Sequence, residues 1–211
     1  MSRRDLTDAM MRPHVVRAVQ SLHPGLRFYD EVNVIVNMEK SYGSGSFLDL
    51  FGVGDTLVGV EIKSDKDTFT RLPRQASHYR ANCDVTYVAV GERLLKKMHE
   101  IPSDFGILLC YDGGDAIQVE LVREPTHSTP PLHALLSLLW RDELVHLLRL
   151  HDLYKGMSKA RVYQIKQALA PIGEELRPQI KKLLFERDWK DFYPEPDEHV
   201  AVTLYEGDGG F

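Results

Sequence analysis

Cysteine is scarce, with two in 211 residues, Cys83 and Cys110, each in or beside an apolar, strand-like run. So few thiols exclude a disulfide scaffold, and the pair reads as small buried hydrophobes in a reducing cytoplasm. No apolar run approaches the roughly 20 residues that span a bilayer, so no membrane partner is expected. Met1 to Met11 carries charges and no apolar core, unlike a secretory signal. A phosphate-binding loop is missing, because Gly43-Ser44-Gly45 and Gly52-Val53-Gly54 lack the helix and lysine that must follow. The nine histidines include no His-Glu-x-x-His spacing, and no serine or cysteine sits in a nucleophile elbow.

A strongly basic stripe is also lacking, and the formal net charge is −5. The acidity is not spread evenly. Asp188 to Phe211 holds seven acids and one lysine, a net of −6, which leaves +1 for the rest of the chain. The body is therefore near neutral, and non-specific DNA affinity is expected to be modest and salt-sensitive. Hydrophobic residues at 43% are enough for a sizeable core in a chain of this length.

The patterning divides the chain into an α/β body, residues 1–124, a helical region packed on it, 125–190, and an acidic, loose tail, 191–211. Helical spacing runs over Asp8 to Leu22 and ends at His23-Pro24-Gly25. Leu26 to Val36 reads as a strand, and Asn37 to Ser46 as a loop. Phe47 to Phe51 and Leu57 to Lys63 read as two strands joined by a turn over Gly52 to Thr56. Thr68 to Asn82 follows, a helix with Pro73 in its first turn. Val85 to Val90 has the continuous apolar character of a strand buried on both faces. Glu92 to His99 is a short helix, and Gly106 to Tyr111 and Ala116 to Val122 are strands around Asp112-Gly113-Gly114-Asp115. Prolines 125, 130 and 131 mark the change to helices over Leu132 to His151, Ser158 to Leu169 and Glu174 to Arg187.

The chemistry concentrates in the second hairpin strand. Side chains alternate faces, so Val58, Val60 and Ile62 point one way and Gly59, Glu61 and Lys63 the other. An acid and an ammonium thus project together from an otherwise apolar strand, where charge is rarely placed without a partner or a purpose. The hairpin brings Asp49 opposite the end of that strand. Asp49, Glu61 and the carbonyl of Ile62 make an oxygen-rich set suited to Mg²⁺ or Mn²⁺, with Lys63 beside it to orient or help deprotonate water and to offset phosphate charge. Glu31, on the polar face of the preceding strand, is either a further acid at the metal or a solvated side chain. The bland alternative for the main set is an ordinary same-face ion pair.

The stretch Val60-Glu61-Ile62-Lys63-Ser64-Asp65-Lys66-Asp67-Thr68-Phe69-Thr70-Arg71-Leu72-Pro73-Arg74-Gln75 resembles the motif segment of the restriction-endonuclease-like, PD-(D/E)XK superfamily. It is similar in particular to a bacterial and phage family related to the MmcB DNA-repair proteins. Val85 to Gly91, Ile101 to Ile107, Leu139 to Leu144 and Leu184 to Trp189 also fit. The resemblance implies a mixed β-sheet flanked by helices, with Asp49, Glu61 and Lys63 as the signature and Glu31 as an acid ahead of the hairpin. It also implies a Gln-x-x-x-Tyr pair, Gln75 and Tyr79, on one helical face above the site. Gln75 would then bond a phosphate or a water, and Tyr79 would join Arg71 and Arg74 in contacting DNA. Packing and capping roles stay open for Gln75 and Tyr79, as does an ion-pair network of Asp65, Asp67 and Arg71. One departure is Ser46-Phe47-Leu48 in place of a basic residue before the first acid.

Lys159 and Arg161, around an apolar stripe, are DNA contacts if the second half contains a recognition helix and a solvated helix face otherwise. The leading reading is a cytoplasmic, Mg²⁺- or Mn²⁺-dependent deoxyribonuclease with DNA as partner and a homodimer left open. The alternatives are a catalytically silent nuclease-fold module that binds DNA or an assembly, and a partner-binding protein acting through its acidic tail.

Overall fold

The computed structural model describes residues 4–34, 46–189, 192–193, 196 and 200–205. The expected end of the first strand at 35–36 and the loop over 37–45 lie outside the described residues, as does much of the tail.

An α/β architecture results, built on one mixed sheet flanked by helices. Its strands are β1 (Arg27–Val34), β2 (Ser46–Val53), β3 (Leu57–Lys63), β4 (Val85–Gly91), β5 (Gly106–Asp112), β6 (Ile117–Arg123), β7 (Phe192–Tyr193) and β8 (Thr203–Leu204). The spatial order is β7-β1-β2-β3-β4-β5-β6-β8. β1, β2 and β3 form an antiparallel meander, and β3, β4 and β5 run parallel. The parallel pairing of β3 with β4 needs a crossover, supplied by helix α2 (Leu72–Asn82). Every residue of β3 and β4 is buried, as central strands covered on both faces require.

Alternation along the strands sorts side chains between two apolar layers. On one face, helix α1 (Asp8–Leu22) packs Met11, Val15 and Val19 against Val58, Val60, Ile62, Tyr87 and Ala89. On the other, α2 and the helices α3 (Leu132–Leu138), α4 (Arg141–Leu150), α5 (Val162–Leu169) and α6 (Leu176–Glu186) share a cluster with Phe51, Val53, Leu57, Val88 and Val90. Among the described residues no helix is long and apolar enough to cross a membrane.

The helical run expected over Leu132 to His151 is interrupted. Leu139 is extended, and α4 restarts at Trp140, whose N–H donates to the Glu143 carboxylate at 2.6 Å. The break gives Arg187 a socket. Its guanidinium bonds both Glu143 oxygens (2.7 and 2.5 Å) and the Leu138 carbonyl (2.8 Å), between the rings of Trp140 and Trp189. Glu92–Glu100 is a 3₁₀ segment, tighter than the short helix expected there. The tail also departs from expectation. Where a loose acidic end is expected, two short strands form: β7 pairs antiparallel with β1 and β8 parallel with β6, on opposite edges of the sheet.

Candidate functional site

β2 and β3 pair from Val53↔Leu57 to Leu50↔Val60, so Asp49 stands one step beyond the last pair, opposite Glu61. The Ile62 N–H donates to Asp49 Oδ2 at 2.9 Å, fixing that carboxylate across the hairpin. Glu61 and Lys63 lie on the α2 face and are almost fully buried, with side chains 1% and 4% exposed. Lys63 Nζ is 2.6 Å from Glu61 Oε1 and 3.1 Å from Gln75 Oε1. The Gln75 side-chain N–H donates to the same Glu61 oxygen at 2.5 Å. Two donors thus converge on one carboxylate oxygen, and Lys63 also donates to the Gln75 carbonyl.

The other Glu61 oxygen is held from below. Tyr79 Oη is 2.9 Å from Glu61 Oε2 and 3.1 Å from the Val60 carbonyl, and accepts from the Asp49 N–H at 3.0 Å. The ring reaches this position because residue 59 is glycine. A Cβ there would lie 2.4 Å from Tyr79 Cδ1 and 2.7 Å from Cys83 Sγ. Gly59→Ala is therefore expected to destabilise the fold by about 1–3 kcal/mol, as overpacked cores do. It should also loosen Glu61, which chemical denaturation and crystallography of the variant would check.

α1 contributes residues that the sequence reading missed. Arg12 bonds the Asp49 carbonyl (2.6 Å), Asp30 (2.8 Å) and both oxygens of Asp8 (2.9 and 3.0 Å). Asp8 and Asp67 join Asp49, Glu61, Ile62, Lys63, Gln75, Arg71, Arg74, His78 and Phe47 in lining an open pocket of about 500 Å³. No local signal marks Asp8 or Arg12 as site residues, since α1 meets the hairpin only through the fold. Asp67 instead caps the turn, accepting from the Ser64 N–H and hydroxyl at 2.8 and 2.6 Å.

Three expectations need correction. Glu31 does not line the pocket. It is exposed, and its φ of 48° interrupts the β1–β2 ladder between Asp30↔Leu50 and Val32↔Leu48, so the strict alternation that aimed it at the metal does not hold. Tyr79 is completely buried beneath Glu61 and cannot stack on DNA; it positions the acid. Lys159 and Arg161 lie ahead of α5, not on a recognition helix, and neither lines the pocket. The ion-pair network offered for Asp65, Asp67 and Arg71 is not formed either. Asp65 accepts from the Leu6 and Arg93 N–H groups at 2.7 and 3.0 Å.

Burial and the charge of Glu61 push the Asp49 carboxyl up to about 7; the Ile62 N–H and Lys63 oppose this, and Asp8 adds to it. A carboxyl whose folded pKa lies above its ordinary 3.8 holds its proton more tightly in the folded chain. Its favourable contribution is full below about pH 4 and is lost as pH rises through 7. In metal-free protein, Asp49→Asn is thus expected to stabilise the fold at pH 8 by on the order of 2–4 kcal/mol and to gain nothing at pH 4. Melting curves across that range would check it, and a gain independent of pH would refute the electrostatic cause.

The family model described as Bacteriophage P4 protein cII matches residues 47–198. The matched segment opens two residues before Asp49, takes in Glu61, Lys63, Gln75 and Tyr79, and leaves Asp8 and Arg12 outside. No curated protein matches the chain. Among solved structures, a protein of unknown function from Silicibacter pomeroyi is similar at 18% identity and a TM-score of 0.40, over 69% of this chain and 94% of that one.

Proposed function

This chain belongs to the bacteriophage P4 protein cII family, and because the segment that places it there carries Asp49, Glu61 and Lys63, we propose that it is a PD-(D/E)XK-type nuclease hydrolysing DNA phosphodiester bonds with Mg²⁺ or Mn²⁺. The observation that carries the reading is a buried lysine set between a glutamate and a glutamine, with a second carboxylate across the hairpin, at the base of a pocket open to solvent.

The donor set fits a hard divalent cation. Asp49 and Glu61 face one another, and burial together with the charge of Glu61 holds the Asp49 carboxyl above its usual range. Among the described residues no group of three or more His, Cys, Asp or Glu side chains is placed to bind a metal. The ion would rest on Asp49, Glu61 and the Ile62 carbonyl, completed by waters, a composition Mg²⁺ tolerates. When bound, it would supply charge neutralisation at the phosphate and acidify a water.

The chain's own groups do the positioning. Lys63, steadied by Gln75, presents an ammonium where a phosphate oxygen gains charge, and stands ready to orient the attacking water or hold its proton. Tyr79 keeps Glu61 from rotating away. Arg71 and Arg74, exposed on the pocket wall, would meet the backbone of the substrate.

The test is a cleavage panel of single-stranded, duplex and branched DNA, with RNA for comparison, in Mg²⁺, in Mn²⁺ and in EDTA. Metal-dependent scission of a DNA form supports the reading. One observation favours a second reading, a silent nuclease-fold module that binds DNA or an assembly: both Glu61 oxygens already have protein partners. Salt-sensitive DNA binding with no scission in either metal would select it.

A further inference from the structure

The substrate's form can be narrowed. We infer that the pocket takes an unpaired DNA strand, one base stacked on Phe47 and the adjoining phosphates on Arg71 and Arg74. The inference rests on the nucleic-acid reading of this pocket and specifies which nucleic acid fits.

Phe47 is the second residue of β2 and lines the pocket two residues before Asp49. Phe47 is 55% exposed, while the next residue, Leu48, and the following Leu50 are fully buried. The sheet therefore has apolar space at this strand, and Phe47 is left out of it. An aromatic ring held in water at the mouth of a polar pocket offers a stacking surface to which any base can bind.

The same lining includes a stripe on α2 and its entry: Arg71, Arg74, Gln75 and His78, spaced i, i+3, i+4 and i+7. Gln75 faces the Glu61–Lys63 pair, so its neighbours on the stripe face the same space. Among the described residues neither Arg71 nor Arg74 has a salt bridge, whereas Arg12, Arg80, Arg177 and Arg187 each hold a carboxylate. Two exposed guanidinium groups without a carboxylate, lining one pocket with a lysine and an exposed ring, match one phosphodiester backbone with a base free to stack.

A duplex fits less well. Its bases are stacked inside and cannot cover Phe47 without being pulled out. The lining cations are confined to Lys63 and the two arginines, which suits the phosphates of one strand, while Asp8, Asp49 and Asp67 in the same lining disfavour the added charge of a second.

Fluorescence anisotropy with the full chain, in Ca²⁺ so that scission does not interfere, would compare a labelled single strand with the same sequence as a duplex. The wild type is expected to favour the single strand by about tenfold or more. Phe47→Ala should weaken single-strand binding by about tenfold and move duplex binding less than about twofold, and Phe47→Trp should restore the preference. Equal or tighter duplex binding by the wild type overturns the inference. So does a Phe47→Ala protein that melts normally and binds the single strand as well as wild type. The two proposals can fail separately. Phe47-dependent single-strand binding with no cleavage removes the nuclease and keeps this inference. Duplex cleavage indifferent to Phe47→Ala does the reverse.

Discussion

Lys63→Ala is expected to reduce metal-dependent DNA cleavage by about 10²–10⁴-fold, the range in which one positioned proton-transfer or charge-stabilising group contributes. Its second effect is on the fold. Lys63 and Glu61 are both nearly fully buried and 2.6 Å apart, so truncating the lysine leaves a buried carboxylate facing Asp49 with no cation between them. Breaking a buried pair from one side typically costs about 3–5 kcal/mol. Activity and stability losses would therefore be confounded in the single variant, and Glu61→Gln separates them. It removes the metal-binding charge, keeps one amide oxygen for Lys63 and leaves Asp49 to offset part of the lysine's charge, so it should abolish cleavage at a smaller cost in melting temperature than Lys63→Ala. The double variant should recover part of the stability that Lys63→Ala loses. Undiminished cleavage by both single variants would end the nuclease proposal.

Arg187→Ala should be the most damaging substitution outside the pocket, at about 3–5 kcal/mol in urea denaturation. The guanidinium makes two hydrogen bonds to Glu143 and one to the Leu138 carbonyl while its faces cover Trp140 and Trp189. The alanine strands the buried Leu138 carbonyl, leaves the half-buried Glu143 carboxylate with the Trp140 N–H in place of a guanidinium, and opens a gap between two rings. Trp189 also stacks on Tyr29 of β1, with ring centroids 4.5 Å apart, so the damage reaches the sheet. Lysine keeps the charge but not the planar fork, and should recover less than half of the loss. A cost below about 1 kcal/mol would show that the socket collapses onto itself.

The candidate site was legible where local periodicity decides geometry. Val58, Val60 and Ile62 fall in one apolar layer while Gly59 and Glu61 face α2, because a strand buried on both sides has no freedom to slip register. Asp49 reaches Glu61 because a short turn at Gly54 to Thr56 fixes the hairpin. Helical spacing put Gln75 and Tyr79 on one side of α2, but not their depth. Gly59 sets that, 20 residues away in the chain, by letting the tyrosine ring sink against the strand while Gln75 stays at the pocket. Asp8 and Arg12 were illegible for the same reason: α1 meets β2 only across the fold. Glu31 failed because one left-handed step undoes alternation. The helix break at Leu139 follows from a carboxylate and a guanidinium 44 residues apart, which no window of local sequence contains.

Tyr79 has a mechanical consequence. One hydroxyl, on a helix, is bonded to the backbone of the first acid and the carboxylate of the second. α2 also bears Arg74 and is entered through Arg71. Any ligand that pulls on those arginines therefore loads the same rigid rod that sets the gap between the two acids. Docking force and acid spacing are joined through a single lever, and a longer or shorter reach from the guanidinium groups would register as a change in how closely Asp49 and Glu61 approach.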